Sequence, residues 1–235
     1  MPYRVLALTL VLVGASSAYA ADAVTDALHE AYAPYRVALF RTNGKSQSEA
    51  QQALTQAQSA WRSVAERFGT KPPAPYDRDT EFAGRLTQVS ALYDRAAAAV
   101  RDGKLAEAHE ELESVRELLA DLRRRNGVVV FSDHMNAYHA EMERLLIDAP
   151  KVLSGADATL LLMSQVGALD YLVRQLRLQA PPALQRNAEF DALLKDVEAS
   201  VQAVRAALLR QDPGAVRDAL GKVKPPYSKL FVKFG

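Results

Sequence analysis

The stretch FSDHMNAYHAEMERLL, residues 131–146, contains the side chains of this sequence that are best suited to bind a metal ion. It holds two of the four histidines and two of the four methionines of the chain. On an α-helix, at about 100° per residue, His134 and His139 are about 140° apart. Two side chains at that angle point to different sides of the helix, so this pair cannot bind one ion.

His139 has thioether groups one helical turn away on both sides. Met135 precedes it by four residues and Met142 follows it by three, and residues at these spacings lie next to each other on a helix surface. Glu143 follows His139 by four residues on the same side. Thioether and imidazole ligands together favour copper, above all Cu(I), and a Met/His pair is also a known axial-ligand set of haem.

The next helix adds a third methionine. If the turn between the two helices is centred near residue 152, Met163 lies beside Met142. We therefore predict a metal site in which Glu143 accepts a hydrogen bond from the imidazole and orients it. The predicted members of this site are Met135, His139, Met142, Met163 and Glu143. Copper and haem both stay open as its occupant.

The same residues also have an ordinary structural interpretation. Methionine fills gaps in helical cores, and a histidine at the rim of an apolar face commonly pairs with a carboxylate such as Glu143. We expect the other histidines, His109 with Glu113 at i+4 and His29 beside Glu30, to be solvated residues on helix surfaces. The methionine and histidine cluster is therefore either a binding site or ordinary core packing.

Composition and motifs argue against the common enzyme classes. The chain has no cysteine, which excludes thiolate catalysis, zinc–thiolate sites and covalent attachment of a c-type haem. It has no glycine-rich phosphate loop, no nucleophile elbow, no HExxH sequence and no ExxH pair for a di-iron centre. With a net charge of +1 it also lacks the basic excess that nucleic-acid binding requires. We expect a binding protein that is not an enzyme.

The first 20 residues have the pattern of a secretory signal peptide. Arg4 precedes an apolar segment, Val5–Val13, and small residues lead to an Ala-Tyr-Ala sequence that ends at Ala20. Cleavage after Ala20 predicts a periplasmic or secreted protein. No other apolar run approaches the roughly 18 residues that a membrane span needs, so we expect no membrane anchor after cleavage.

The remainder of the sequence predicts an all-α protein. Alanine, leucine, glutamate, glutamine and arginine dominate, and apolar residues return at steps of three and four. We read GVVVF at 127–131 as a connection rather than a strand. The predicted helices span about 26–42, 47–68, 77–101, 104–125, 132–147, 156–178, 183–210 and 213–223.

An internal repeat divides these helices into two groups of four. At an offset of 108 residues, the pattern RxxEFxxxLxxV occurs twice, starting at Arg78 and at Arg186. We therefore predict a signal peptide, 1–20, and a tandem duplication of two four-helix-bundle-like repeats, 21–127 and 128–235.

The predicted helix 156–178 is apolar on two sides. It is therefore expected to lie between the two repeats or to form a contact with another subunit or a ligand. A homo-oligomer formed through this helix is one outcome. For the protein as a whole, the alternatives to a metal or haem binder are a helical scaffold that acts through protein contacts and a carrier of a small apolar ligand.

Overall fold

The computed structural model of the protein describes residues 22–153, 155 and 157–235. The predicted signal peptide, residues 1–20, lies outside the described residues. Export from the cytoplasm therefore stays a prediction.

The described residues form helices and no strand, so the all-α prediction is confirmed. A short 3-10 helix, Tyr76–Arg78, precedes α3, and GVVVF forms a connection as predicted, with α5 beginning at its last residue. The α-helices are α1 Ala23–Thr42, α2 Gln47–Phe68, α3 Phe82–Arg101, α4 Leu105–Arg125, α5 Phe131–Val152, α6 Ala158–Gln179, α7 Pro182–Gln185, α8 Ala188–Leu209, α9 Pro213–Leu220 and α10 Lys224–Phe234.

Several helices begin and end at residues with the expected local chemistry. The carboxylate of Asp22 accepts hydrogen bonds from the first backbone N–H groups of α1, and the hydroxyl of Ser46 does the same for α2. Gly103 and Gly127 follow α3 and α4 with φ angles of 75° and 67°. Glycine adopts such left-handed backbone angles at no steric cost, so these residues allow the chain to turn sharply after each helix.

Helix α10 was not predicted from the sequence. The pattern predicts a last helix over 213–223, whereas the structure has α9 and, after a short turn, α10. Pro225 and Pro226 lie in the first turn of α10, where backbone N–H groups have no partner within the helix. The two prolines are therefore compatible with the start of a helix.

The helices pack mainly against their neighbours in sequence. Helices α1 to α4 contact one another in order, with α4 returning to α1, while α5, α6, α8 and α10 form a similar series and α10 also contacts α1. The large apolar residues matched by the 108-residue offset are buried in both series. They are Phe82 and Phe190, Leu86 and Leu194, Val89 and Val197, Leu112 and Leu220, Val115 and Val223, and Leu122 and Leu230. Such burial agrees with a duplication, and the duplication itself stays a prediction.

Helix α6 buries one of its two apolar faces and exposes the other. Its main neighbours are α5 and α8. The buried face consists of Leu162, Val166, Leu169, Val173 and Leu176, and the exposed large apolar side chains are Leu160, Leu161, Tyr171 and Leu178. The two groups of helices therefore do not pack on each other across the outer face of α6.

Among the described helices, none is long and apolar enough to cross a membrane.

Candidate functional site

Two of the predicted ligands, Met135 and Met142, lie on α5 with no exposed surface. Tyr138 and Leu145 are equally buried on the same face of this helix. The backbone carbonyl of Met135 accepts a 3.0 Å hydrogen bond from the hydroxyl of Tyr227 on α10. Both thioethers therefore belong to the hydrophobic core of the α5 region.

Met163 lies on α6, half-buried and packed against the core. Because α5 ends at Val152 and α6 begins at Ala158, the turn between them is centred near residue 155 and not near residue 152 as predicted. A hydrogen bond of 3.0 Å from the Gln165 amide to the Asp148 carboxylate fits this later centre. Met163 is then at the height of about residue 147 of α5. This height is roughly 7 Å from Met142 along the axis of α5. The helical hairpin therefore does not place these two methionines side by side.

His139 points towards α4 and α10. Its side chain is 14 % exposed, and its Nε2 atom lies 3.8 Å from Oε2 of Glu113 on α4. Its ring centre is 5.6 Å from that of Tyr227. Glu143, which we expected to face this imidazole, instead forms a 2.8 Å ion pair with Lys224 of α10. The carboxylate that faces His139 is therefore that of Glu113.

His109 faces the other oxygen of the same carboxylate. Its Nε2 atom lies 3.5 Å from Oε1 of Glu113, and its side chain is only 22 % exposed. Its Nδ1 atom is 3.0 Å from the carbonyl oxygen of Leu39. The prediction of a solvated His109 is therefore wrong, because this histidine packs against α1. His29, by contrast, is exposed as expected.

The cluster is buried enough to change the protonation of its members. Burial, together with the nearby charges of Arg116 and Lys224, lowers the pKa of His139 to about 3. Burial also lowers the pKa of His109 and raises the pKa of Glu113. At neutral pH both imidazoles are therefore uncharged. Since a carbonyl oxygen only accepts hydrogen bonds, the proton of His109 lies on Nδ1, which leaves its Nε2 lone pair facing the carboxylate.

The guanidinium of Arg116 provides the positive charge of the cluster. It is almost completely buried and is hydrogen-bonded to Oε2 of Glu113. The Glu113 carboxylate is thus held between one cation and two neutral imidazoles. In the described part of the chain, histidine, aspartate and glutamate form no group of three or more that could hold a metal ion. A site made only from these residue types is therefore not formed.

A small cavity lies between these side chains. His109, Glu113, Arg116, His139 and Lys224 line it together with apolar residues of α1 and α10, and its volume is about 40 Å³. A buried water needs roughly 10–15 Å³, whereas organic ligands occupy pockets of roughly 300–1,000 Å³. The cavity therefore has room for water molecules or an ion. It is far too small for haem.

Most residues around His139 come from helices that the sequence pattern could not connect to it. Glu113 and Arg116 lie on α4, and Lys224 and Tyr227 lie on α10. The spacing of His109 and Glu113 at i+4 was visible in the sequence, but it did not indicate burial. No signal in the sequence placed Lys224 or Tyr227 at this site, because their helix itself was not predicted.

The chain matches no protein-family model, and comparison with curated proteins and with solved structures gives no match.

Proposed function

We propose that this protein is an exported helical binding protein, not an enzyme, and that it holds one copper ion as Cu(I) at His139. A single observation carries the proposal. His139 is a largely buried, uncharged imidazole at the edge of a small cavity, and Met135 and Met142 lie one helical turn away from it along α5, on either side. One imidazole and two thioethers form a ligand set that suits Cu(I).

The protonation of His139 supports this choice. A histidine binds a metal through a neutral ring nitrogen, so metal and proton normally compete for the same atom. Because the pKa of His139 is lowered to about 3, its imidazole is in the metal-binding form at any pH above about 4.

The proposed ligand set is smaller than the one predicted from the sequence. Met163 is not included because the register of α5 and α6 displaces it from Met142. Glu143 is not included because it pairs with Lys224. The proposed ligands are thus Met135, His139 and Met142, and haem is set aside because the cavity beside His139 holds only about 40 Å³.

A titration with Cu(I) tests the proposal. The purified protein is titrated under anaerobic reducing conditions against a chromophoric Cu(I) chelator, and we expect one tightly bound ion per chain. His139→Ala and the double variant Met135→Leu with Met142→Leu should each weaken binding at least 100-fold. His134→Ala is the matched control, since it removes a half-buried histidine from the same helix without touching the proposed ligands.

Two outcomes would count against a Cu(I) site. One is the absence of any stoichiometric binding by the wild-type protein. The other is equal binding by the wild type and by the Met135 and Met142 double variant. X-ray absorption of the loaded protein adds a direct check, because sulfur ligands at roughly 2.3 Å are distinguished from nitrogen or oxygen ligands at roughly 2.0 Å.

A scaffold that acts through protein contacts is the second candidate. The observation that favours it is the exposed apolar face of α6, whose large side chains have no partner among the described helices. A carrier of small apolar ligands is less favoured. The groove lined by Leu146, Ala149 and Leu220, between α5 and α9, is open to solvent and not enclosed.

A further inference from the structure

The exposed face of α6 is a continuous stripe along the helix. At about 100° per residue, its members lie within about 40° of the direction of Leu160, whereas the buried residues lie about 160–240° away. The stripe consists of Leu160, Ser164, Gly167, Tyr171, Arg174 and Leu178, all of which are exposed. Leu160, Tyr171 and Leu178 are 73 %, 56 % and 68 % exposed, respectively.

This stripe is complementary to itself. Two copies of α6 can be placed side by side and antiparallel, related by a twofold axis at the height of Leu169. Each residue of one copy then lies opposite the residue of the second copy that is equally far from position 169 in the sequence, but on its other side. Leu160 then lies opposite Leu178 of the second copy, and Gly167 lies opposite Tyr171. A large aromatic side chain thus meets the residue with no side chain, and leucine meets leucine at both ends.

Gly167 has no evident role inside its own chain. A Cβ atom added at this position would meet no atom within 4 Å, so packing within the chain does not require a glycine. A glycine in the middle of a helix costs roughly 1 kcal/mol compared with alanine. The small residue therefore leaves a gap on the outer surface of α6, at the level that Tyr171 of a second copy would occupy.

We propose that two copies of this chain associate through the outer faces of α6, antiparallel about a twofold axis at Leu169. The occupant of this surface is thus a second copy of the same chain. This inference rests on α6 alone and does not depend on the proposed Cu(I) site.

Area and charge are compatible with this dimer. Leu160, Tyr171 and Leu178 of the stripe together expose on the order of 400 Å² per copy, which is within the range of the largest apolar patch on a typical monomer, and such patches are often functional. Together with the exposed Ser164, Gly167 and Arg174, two copies would bury roughly 1,000 Å², near the lower limit for a specific interface. Arg174 is the charged residue of the stripe and is paired with Asp170 at 2.8 Å. In the proposed register it faces Ser164, so no like charges meet.

Sedimentation equilibrium of the purified protein tests the dimer directly. We expect a dimer at micromolar concentration and at least a tenfold increase of the dissociation constant for Tyr171→Glu and for Gly167→Leu. Leu209→Glu is the matched control, because Leu209 is 70 % exposed on α8 and lies outside the stripe. Helical circular dichroism should be equal in all variants. A wild-type protein that stays monomeric at 100 µM overturns the proposal, as does equal weakening by Leu209→Glu.

Cysteine cross-linking tests the register, and the absence of native cysteines makes the result unambiguous. A chain with both Leu160→Cys and Leu178→Cys should form a disulfide-linked dimer under mild oxidation. The two positions are about 27 Å apart within one helix, which excludes a bond inside one chain. Leu160→Cys alone should not cross-link, since position 160 of the second copy also lies about 27 Å from position 160 of the first. Efficient cross-linking by Leu160→Cys alone indicates a parallel pair and overturns the antiparallel proposal.

Discussion

The hydroxyl group of Tyr227 donates a 3.0 Å hydrogen bond to the backbone carbonyl of Met135, which joins α10 to α5 across 92 residues of sequence. The ring of Tyr227 also stacks on that of Tyr138, with centres 5.1 Å apart, and lies beside His139. The last helix of the chain therefore fixes the backbone of α5 at the proposed metal ligands. A substitution that loosens the packing of α10 should therefore lower the free energy of unfolding and also alter the surroundings of His139.

Tyr227→Phe should lower the free energy of unfolding by about 1 kcal/mol. The substitution keeps the ring but removes a buried hydrogen bond, for which a net contribution of roughly 0.5–1.5 kcal/mol is typical. Urea denaturation measures the change. Tyr171→Phe is the control, since this tyrosine is 56 % exposed and should change the stability by less than about 0.5 kcal/mol. Equal stability of the Tyr227→Phe variant and the wild type would show that the hydrogen bond is absent or fully replaced by water.

A buried ion pair between Arg123 and Asp133 connects α4 to α5. The side chain of Arg123 is 3 % exposed, and its Nε atom lies 3.1 Å from both oxygens of Asp133. Asp133→Ala should lower the free energy of unfolding by about 3 kcal/mol, because it leaves a buried guanidinium without its partner. Thermal and urea denaturation measure this loss.

Two comparisons separate burial from simple loss of a charge. Glu107→Ala removes the partner of Lys104, whose side chain is 55 % exposed, and should cost less than about 1 kcal/mol. The double variant Arg123→Met with Asp133→Leu should be more stable than Asp133→Ala alone, since no charge is left buried. If all three variants lost the same stability, the pair would not be buried in solution.

The helices of this protein could be predicted from the sequence, whereas their register could not. Apolar periodicity located α1 to α6 within about five residues, whereas the single helix predicted over 183–210 is divided into α7 and α8. It failed at α10 because Pro225 and Pro226 resemble a helix break unless their place in a first turn is known. A shift of three residues in the predicted turn between α5 and α6 was enough to displace Met163 by about 7 Å relative to Met142.

The candidate site could be predicted only in part for a similar reason. Helical spacing shows which residues of one helix share a face, and it correctly placed Met135 and Met142 on the apolar face of α5. It cannot show which residues of a distant helix arrive at that face. Glu113 lies 26 positions before His139 in the sequence, and Lys224 lies 85 positions after it. Their contacts depend on the packing of α4 and α10 against α5.

His139 should make the protein less stable as the pH falls below 6.5. Its pKa is about 3 in the folded protein and near 6.5 in the unfolded chain, so the unfolded chain binds more protons between these values. The free energy of unfolding should therefore fall with decreasing pH in this window, by up to about 1.4 kcal/mol per pH unit from this group. Above pH 7 its contribution is constant.

Comparison with His139→Asn isolates this effect from the other titrating groups. The raised pKa of Glu113 acts in the opposite direction, because stability from that group decreases as the pH rises through its folded value. The stability of wild type and variant is measured by urea denaturation at several pH values from 7.5 to 4.5. Below pH 6.5, the free energy of unfolding of the wild type should fall steadily relative to that of the variant. A difference that does not change with pH would mean that His139 titrates normally in the folded protein.

The pKa of His139 also predicts how Cu(I) binding depends on pH. A histidine with an ordinary pKa of about 6.5 is only about 3 % neutral at pH 5, so a site built on it would bind roughly 30-fold more weakly there than at pH 7.5. Because the pKa of His139 is lowered to about 3, its imidazole stays neutral throughout this range. We therefore expect the Cu(I) dissociation constant, corrected for protonation of the competing chelator, to change less than threefold between pH 7.5 and 5. A 30-fold loss of affinity at pH 5 would show that the metal-binding histidine is exposed to solvent in the ion-free protein, unlike His139.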